Sequence, residues 1–348
     1  MTLSVSPHDR AVFQESLADF LPDDIVDVHA HVWLRAFATG PTPMVRGAQW
    51  ALAVADEQTP EVLADTYAAL FPGRRVTPVL FGWPERYIDI AANNAWVAAQ
   101  ARQQSAPALC VSLPETPAET LDAIVQAGGF IGLKPYLEFA PRHLGPDEIS
   151  SFDFLPRAHL EIASQRGWII MLHLPRSRRL GDPLNLAQLV EIEQTYPGVQ
   201  LIVAHLGRAY CPEDLGDAVA VLRRTERLAF DFSANTNAWV MTELLRTVGA
   251  SRVLFGSDLP ITRMRLRREC RQGTYVNLVP PGLYADVDAD PHLVEVGAAE
   301  TESLTFFLYE ELLAMRQAVT TLRLPATAVE AIFATNARAM VARAHRSR

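Results

Sequence analysis

Eight short runs of apolar and β-branched residues recur along this chain, and this recurrence constrains the fold more than any other feature. Each run has the length of a strand that is buried on both faces, as in a parallel sheet. The runs are Ile25–Trp33, Arg75–Gly82, Ala108–Leu113, Phe130–Tyr136, Trp168–Leu174, Gln200–Leu206, Leu228–Ser233 and Arg252–Asp258. Stretches with helical spacing separate most of them, for example Glu85–Gln104 and Ala238–Val248. The pattern therefore predicts alternating strands and helices.

Strand–helix alternation repeated eight times predicts a closed (β/α)8 TIM barrel of the α/β class. An open doubly wound sheet is the alternative that the pattern leaves. The length of 348 residues suits one barrel with extensions, and a hydrophobic fraction of 49% allows a large core. We expect a single domain over residues 1–348, with the barrel core at about 25–262 and a C-terminal loop and helices at 263–348.

Three segments lie outside this repeat. Residues 1–22 have the pattern of a short helical N-terminal extension, and residues 34–74 form a long first connection. Residues 263–299 follow the eighth run as a long loop, rich in Arg and then in Pro, Gly and Asp. A loop at this position lies on the C-terminal face of a barrel, where (β/α)8 enzymes build their sites. Glu300–Val319 and Ala326–Ala344 are predicted to be closing helices.

Composition argues against several classes of protein. The net charge is −9 without a basic or acidic tail, so we expect no nucleic-acid partner. No apolar run approaches the length of a membrane span, and the N-terminal segment lacks the apolar core of a signal peptide. Cys110, Cys211 and Cys270 are far apart and form no C-x-x-C pair, which argues against a disulfide framework and a zinc ribbon. A cytoplasmic location is the expectation from these features.

The first run contains two candidate metal ligands, His29 and His31. Side chains alternate along a strand, so both imidazoles point to the same side. With the apolar residues between them facing the helices, Asp27 would share the barrel axis with both histidines. Two imidazoles converging near a strand end suit a divalent metal such as zinc. Two polar residues that form hydrogen bonds to loops are the alternative.

Three further strands carry a potential ligand near their C-terminal ends. These residues are His173 in the fifth run, His205 in the sixth and Asp258 in the eighth, each after apolar residues. Burial of such a side chain without a partner costs a few kcal/mol. Polar residues are therefore not expected by chance at the ends of several apolar strands. A barrel gathers its strand ends around one cavity. Imidazoles and a carboxylate are the ligands of catalytic metal sites with an open position for water.

Taken together, these motifs resemble the amidohydrolase superfamily of metal-dependent hydrolases. The closest resemblance is to the subgroup that also contains decarboxylases of the aminocarboxymuconate semialdehyde type. It covers about residues 25–345 and includes the D-x-H-x-H of the first strand and the G-S-D-x-P of the eighth. The histidines of the fifth and sixth strands and a late helix with Phe333, Asn336 and Ala337 complete the ordered set.

The resemblance implies a role for each of these residues. His29, His31, His173 and Asp258 would bind one divalent ion, with zinc as the first candidate and one ion favoured over two. His205 would lie beside the attacking water or the substrate, as a ligand of a second ion or as a proton-transfer residue. In hydrolases of the superfamily the eighth-strand aspartate also accepts the proton of water. Asp258 and His205 are therefore the expected catalytic residues.

Lys134, the only lysine of the chain, ends the fourth run. Some members of the superfamily carry a carboxylated lysine there that bridges two metals, and such a carbamate requires a neutral amine, which burial favours. The alternative is an unmodified lysine that binds a substrate carboxylate or pairs with a nearby acid. We favour the unmodified lysine. In either case a lone lysine that ends an apolar strand needs an anionic partner, so we expect Lys134 in the pocket.

Arginines offer further candidates for substrate binding. Arg176 and Arg208 each lie three residues beyond a site histidine and could bind a substrate carboxylate in bidentate fashion. Solvent exposure is the alternative for both. Four more arginines follow Asp258 and could face an anionic substrate, although a solvated or subunit-contacting face is commoner for such residues; they are Arg263, Arg265, Arg267 and Arg268.

Hydrolysis of an amide, lactone or ester-like bond by metal-activated water is the function that we expect. Non-oxidative decarboxylation of a small unsaturated or aromatic carboxylate is the second hypothesis, and a barrel that has lost catalysis and serves in binding is the third. The substrate is expected to be a small molecule that carries a carboxylate. Neither a nucleic acid nor a membrane is expected as a partner, and a homo-oligomer is left open.

Overall fold

Eight parallel strands form the centre of the computed structural model, which describes residues 3–41, 46–284 and 290–346. The strands are β1 Asp24–His31, β2 Arg75–Phe81, β3 Cys110–Ser112, β4 Gly132–Pro135, β5 Ile169–Leu172, β6 Gln200–Val203, β7 Ala229–Asp231 and β8 Val253–Leu254. β1 pairs with β2, and β3 to β8 pair in chain order. Every strand overlaps one of the apolar runs, so the predicted strands are confirmed.

Hydrogen bonds join these strands at both seams between the two sheets. Between β2 and β3, Leu109 N donates to Leu80 O at 2.8 Å. Between the end of β8 and β1, Val28 N donates to Phe255 O at 3.0 Å, and Asp258 N donates to His29 O at 2.9 Å. The strands thus follow one another around the ring of a (β/α)8 barrel, as predicted.

Apolar side chains fill the N-terminal part of the barrel interior. One contact cluster collects them from every strand or from residues next to it: Val26, Val28, Val79, Phe81, Leu109, Ile131, Ile169, Met171, Ile202, Ala204, Ala229 and Leu254. The C-terminal helix Asn336–Arg346 adds Ala337 and Met340 to the same cluster. This helix therefore covers the N-terminal end of the barrel.

A second apolar cluster lies between the strands and the surrounding helices. Those helices are Ile90–Gln104, Ala118–Gly128, Arg157–Arg166, Pro183–Thr195, Ala218–Leu222 and Ala238–Val248. Local sequence sets their ends: Asp182 Oδ1 accepts from Leu184 N at 2.9 Å, and Pro183 takes the first helical position. The closing helices are Phe307–Leu322, Ala326–Glu330 and Asn336–Arg346, with a π-helical turn Ala331–Thr335.

The segment after β8 differs from the predicted long loop. It contains β9 Arg267–Arg271, β10 Thr274–Val279 and β11 Leu293–Glu295, with β9 antiparallel and β11 parallel to β10. The loop prediction is therefore wrong for this part. The strands were hidden because β9 consists almost entirely of charged residues, which carry no apolar alternation. A short helix, Ala298–Thr301, follows them.

The other two extensions contain the expected or additional helices. The N-terminal extension has the helix Pro7–Val12 and a π-helical turn Phe13–Leu17. The long first connection contains two helices, Arg46–Val54 and Pro60–Leu70. Among the described residues, no helix combines the length and the apolar character needed to cross a membrane.

Two of the three cysteines form a disulfide, contrary to expectation. Cys211, after β6, is bonded to Cys270 on β9, at a sequence separation of 59. Cys110 is buried and free. The two cysteines are far apart in sequence and meet only because the sheet that carries Cys270 folds back over the strand ends. Their spacing therefore gave no sign of the bond. Since disulfides are rare in reducing compartments, the cysteine argument for a cytoplasmic location no longer holds.

Candidate metal centre

β1 carries the first two candidate ligands, and a bulge precedes them. The register between β1 and β2 shifts between Asp27 and Ala30, which reverses the side to which the following residues point. Val28 therefore belongs to the apolar interior cluster, while the adjacent His29 faces the cavity at the C-terminal end. Asp27 points away from the axis, since its Oδ2 accepts from Tyr67 OH at 2.6 Å. Simple alternation placed Asp27 on the wrong side.

Asp27 instead holds the backbone of two ligand-bearing segments. Its Oδ1 accepts from His29 N at 2.9 Å and from Ser257 N at 2.8 Å. One buried carboxylate thus connects the end of β1 to the residue before Asp258. Asp27 therefore supports the ligand-bearing strand ends through their backbone.

A different aspartate, Asp231 at the end of β7, orients the imidazole of His29. Its Oδ2 lies 3.1 Å from His29 Nδ1, and both side chains are fully buried. When Nδ1 carries the proton, Nδ1–H donates to this carboxylate, and the lone pair of Nε2 remains available to bind a cation. A carboxylate behind a ligating histidine is the usual means of fixing the tautomer in metal sites.

His29, His31 and Asp258 meet at one point of the cavity. Asp258 Oδ1 lies 3.5 Å from His29 Nε2 and 3.3 Å from His31 Nε2. One potential ligand atom from each residue lies within 4.8 Å of the other two, and all three side chains are buried. Two imidazole nitrogens and a carboxylate oxygen form a donor set that suits a divalent ion such as zinc.

His173 and His205 extend this group across the cavity. The His205 ring lies 4.7 Å from that of His29 and 5.1 Å from that of His173, measured between ring centroids. His173 Nδ1 is buried and has no hydrogen-bond partner among the described residues. A buried nitrogen without a partner is costly unless another group binds it, so His173 fits the proposed ligand set.

A second group with metal-site spacing is formed by His29, His205 and Asp231. Its atoms are already engaged with one another and with their neighbours. Asp231 Oδ1 accepts from His205 N at 3.1 Å and from the Ser233 hydroxyl, while His205 Nδ1 lies 2.9 Å from Ser233 Oγ. We interpret this second group as the hydrogen-bond network that positions His29 and His205.

Backbone strain is concentrated where the strands end in the site. His205, Ala234 and Asp258 have φ values of 55°, 51° and 54°, a left-handed conformation that costs a non-glycine residue about 1 kcal/mol or more. Gly256 is needed for a steric reason, since a Cβ there would lie only 2.7 Å from the Cβ of His29. Left-handed residues redirect side chains that strand alternation would have sent outwards, as at His205 after the inward-facing Ala204.

Burial keeps the imidazoles of the site uncharged. Desolvation, with smaller contributions from neighbouring cations, holds the pKa of His29, His31 and His173 well below the usual histidine value. Burial also lowers the pKa of His205 to about 4. Neutral imidazole is the form that binds a metal. Burial raises the pKa of Asp258 to about 6, against the opposing effect of His205 and Lys134.

Lys134 is buried beside the candidate ligands, although its side chain is not part of the cavity lining. Its Nζ is 3.4 Å from His29 Nε2 and 5.0 Å from the centroid of the Phe81 ring. Burial lowers its pKa to about 8, while Asp231 and Asp258 act in the opposite direction. A pKa of about 8 leaves about a tenth of the amine neutral at pH 7, which is compatible with both the unmodified and the carboxylated lysine.

A cavity of about 250 Å³ opens above these residues at the C-terminal end of the barrel. His29, His31, His173, His205 and Asp258 line its floor. Its walls consist mainly of aromatic and charged residues: Trp50, Trp83, Glu85, Tyr136, Arg208, Tyr210, Arg268, Tyr275 and Phe307. A cavity of this size suits a small molecule.

The two arginines predicted to bind substrate occupy different places. Arg208 lines the cavity, and one of its nitrogens donates to Leu174 O at 3.0 Å. Arg176 lines a separate depression beside the cavity, where its Nε lies 2.9 Å from Asp182 Oδ1 and its Nη1 donates to Asp147 O. Arg208 alone is therefore brought together with the candidate ligands.

Three functional residues were missed or underrated from sequence. Asp231 interrupts the apolar seventh run at its end, the same signal that singled out His173, so it could have been found. Arg268 was one of four arginines that sequence could not distinguish. Glu85 gave no signal, yet it is buried in the cavity wall with Oε2 unpaired among the described residues. Burial, and to a lesser extent Glu138, raises its pKa to about 8.

A barrel with these ligands at its C-terminal end has the architecture of metal-dependent hydrolases and related lyases. The model of a family described as amidohydrolase matches residues 26–343. The chain therefore belongs to this amidohydrolase family and is an enzyme of it. No curated protein sequence matches the chain.

Solved structures share the fold at low sequence identity. A probable 2-pyrone-4,6-dicarboxylic acid hydrolase from Acinetobacter baumannii, with citric acid bound, is 16% identical, with a TM-score of 0.55, over 91% of this chain and 99% of its own. An amidohydrolase from Burkholderia multivorans with bound zinc is 14% identical, with a TM-score of 0.54, over 91% and 99%. A 2,6-dihydroxybenzoate decarboxylase bound to 2,6-dihydroxybenzoate is 14% identical, with a TM-score of 0.54, over 92% and 99%.

Proposed function

We propose that this enzyme hydrolyses a lactone, amide or ester-like bond of a small molecule with the help of one divalent ion. The observation that carries the proposal is the position of Asp258. Its Oδ1 lies within 3.5 Å of Nε2 of both His29 and His31, and its side chain lines the cavity. A carboxylate at this point can both contribute to a metal site and accept a proton from water.

His29, His31, His173 and Asp258 would hold the ion. When bound, a divalent cation supplies positive charge that lowers the pKa of water and polarises a substrate carbonyl group. Zinc is the first candidate because nitrogen and carboxylate ligands suit it. One ion is favoured over two because Asp231, a member of the second group of potential ligands, already accepts hydrogen bonds from His205 N and Ser233 N.

Asp258 and His205 would handle the proton. With a pKa of about 6, Asp258 is ionised at neutral pH and can accept the proton of the attacking water. The same carboxyl group can then donate that proton to the leaving oxygen or nitrogen. His205 remains neutral in this range, so it can accept or donate a hydrogen bond beside the reacting group.

Arg208 and Lys134 would attract an anionic group of the substrate. Arg208 lines the cavity, and no carboxylate forms an ion pair with it among the described residues. Lys134 is buried beside the candidate ligands, with its Nζ 3.4 Å from His29 Nε2. Arg176 is already close to Asp182, so we do not assign it to substrate binding. Names of two structural relatives contain a dicarboxylic acid and an aromatic carboxylate, which supports a carboxylate-bearing substrate.

Metal analysis combined with a panel of lactones, esters and amides tests the proposal. The purified protein should contain about one divalent ion per chain, and His31→Ala should reduce metal content below about 0.2 per chain, because metal sites depend on every ligand. The same variant should lower kcat/KM by about 10³-fold or more, as expected when catalytic machinery is removed. Hydrolysis in ¹⁸O-labelled water should place one ¹⁸O atom in the acid product.

His159→Ala is the matched control. This histidine is also buried, but it lies on the helix Arg157–Arg166, where its ring contacts Thr116 O, far from the candidate ligands in the fold. It should retain metal and activity. Full hydrolytic activity of metal-free protein would overturn the proposal. Carbon dioxide release from aromatic carboxylates, without turnover of any lactone or ester, would replace hydrolysis by decarboxylation.

A further inference from the structure

Arg268 enters the cavity from outside the barrel, on strand β9 of the sheet that follows β8. Its neighbour Arg267 points the other way and pairs with Glu300. Two more arginines in the chain are also paired with acids, Arg265 with Asp9 and Arg179 with Asp214. Arg268 differs from all three in having no acidic partner among the described residues.

Three aromatic rings enclose the guanidinium group of Arg268. Its Cζ lies 4.6 Å from the ring centroid of Tyr210, 4.5 Å from that of Tyr275 and 4.5 Å from that of Phe307. At these distances each ring attracts the cation through its π face. Packing between the three rings fixes the position of the guanidinium group before any ligand arrives. The rings also exclude water that would otherwise solvate the charge.

Hydrogen bonds satisfy only one side of this guanidinium group. Nε donates to Asn277 Oδ1 at 2.8 Å, and Nη1 donates to Ala234 O at 2.6 Å. Nη2 has no partner in the part of the chain that the structure describes. Both acceptors are neutral. The positive charge is therefore held in place but not neutralised by any ion pair, an arrangement that is unfavourable until an anion binds.

We propose that Arg268 binds a second carboxylate of the substrate, so that the cavity takes small dicarboxylates. One carboxylate would lie at Arg268 and the other at Arg208, both of which line the same cavity. Aromatic side chains that line the same cavity, such as Tyr136 and Trp83, suit a planar unsaturated ring. The proposal rests on the proposed function in one respect, which is that this cavity is the substrate site.

Binding of unreactive dicarboxylates tests the proposal without requiring turnover. Phthalate, isophthalate and terephthalate hold two carboxylates at three spacings on one ring, and benzoate holds one. Isothermal titration calorimetry of the purified protein should show at least one dicarboxylate bound about tenfold or more tightly than benzoate, because an additional charge-assisted pair contributes more than about 1.4 kcal/mol. Arg268→Met should remove that advantage and change the affinity for benzoate less than about threefold.

Arg267→Met is the matched control, since it removes the same charge from the neighbouring position on β9. It should leave the preference for the dicarboxylate unchanged. Arg268→Lys keeps a positive charge without the bidentate geometry and should restore part of the preference. Equal binding of benzoate and all three dicarboxylates by the unaltered protein would overturn the proposal. So would an equal loss of affinity for mono- and dicarboxylates in Arg268→Met, which would indicate that the residue only shapes the cavity.

These results can be separated from the test of the proposed function. Loss of the dicarboxylate preference in Arg268→Met with normal metal content supports Arg268 as an anion site whichever reaction the enzyme catalyses. Conversely, a hydrolase with normal metal content that shows no preference for dicarboxylates would retain the proposed function and lose only the second carboxylate site.

Discussion

The same strands build both ends of the barrel interior, and the two ends differ in chemistry. On β5, Ile169 and Met171 face the axis and pack in the apolar cluster that the C-terminal helix covers. His173, two residues further along, faces the cavity and has a buried nitrogen without a partner. One end thus gains stability from burial, whereas the other collects polar groups that burial disfavours.

Backbone irregularities occur at the polar end. The bulge in β1 and the left-handed residues His205, Ala234 and Asp258 all lie at or near the C-terminal strand ends. Each costs free energy that packing elsewhere must offset. Stability and function are therefore separated along the barrel axis. Substitutions at the apolar end should lower the free energy of unfolding, whereas substitutions at the polar end should lower activity.

His173→Ala and Ile169→Ala test this separation on a single strand, with the largest expected effects. His173→Ala should lower kcat/KM by about 10³-fold while leaving the stability of metal-free protein nearly unchanged, since it removes a group with an unsatisfied buried nitrogen. Ile169→Ala should reduce the free energy of unfolding by about 2–5 kcal/mol, because it leaves a cavity in the core. Urea denaturation and steady-state kinetics measure both quantities.

Ile169→Ala should retain metal content and kcat/KM below its unfolding temperature. A loss of activity in the folded Ile169→Ala protein comparable to that of His173→Ala would show that the two ends are coupled. The distinction drawn between them would then be wrong.

The disulfide between Cys211 and Cys270 should matter less, and chiefly at the polar end. It joins the residue after Tyr210 to the strand that carries Arg268, so it connects two walls of the cavity. Cys270→Ser should lower stability by about 2–4 kcal/mol at most, since it opens a loop of 59 residues in the unfolded chain. KM should rise more than kcat falls.

Addition of a reductant provides the control for the disulfide. It should lower the Tm of the unaltered protein to that of Cys270→Ser and should have no effect on the variant itself. If the reductant leaves the Tm of the unaltered protein unchanged while Cys270→Ser lowers it, the serine acts through packing rather than through the lost bond.

Glu85 should produce an effect that is visible only as a pH dependence of stability. Its pKa of about 8 in the folded protein exceeds the ordinary value of 4.5. A carboxyl group with a raised pKa favours the folded state while it is protonated, and this contribution is lost as the pH rises from about 4.5 to about 8. The Tm of the unaltered protein should therefore fall relative to that of Glu85→Gln over this range.

Glu61→Gln is the matched control for this measurement, because Glu61 is an exposed glutamate on the helix Pro60–Leu70. Its curve of Tm against pH should run parallel to that of the unaltered protein. A Glu85→Gln curve that is also parallel would indicate that Glu85 is ionised in the folded protein at all these pH values.

Much of the barrel and of the candidate site could be predicted from the sequence. Apolar runs identified all eight strands because buried parallel strands need continuous hydrophobic residues. A polar residue at the end of such a run drew attention to His173, His205 and Asp258, and an isolated lysine drew attention to Lys134. These signals are local in sequence, so no knowledge of tertiary contacts was required.

Other features depend on contacts between distant segments. The charged strand β9 forms because β10 supplies its hydrogen bonds, and the same sheet brings Cys270 to Cys211 and Arg268 into the aromatic cage. Contrary to the expectation from alternation, Asp27 does not share the cavity with the histidines, because the bulge in β1 changed the side to which β1 residues point. Asp231, which was missed from sequence, contacts His29 instead. The sequence by itself determined which strands exist and which of their residues are candidate ligands, since periodicity and burial are encoded locally. Only the tertiary structure decided which carboxylate faces His29 and which arginine faces the cavity, because these depend on backbone irregularities and long-range packing.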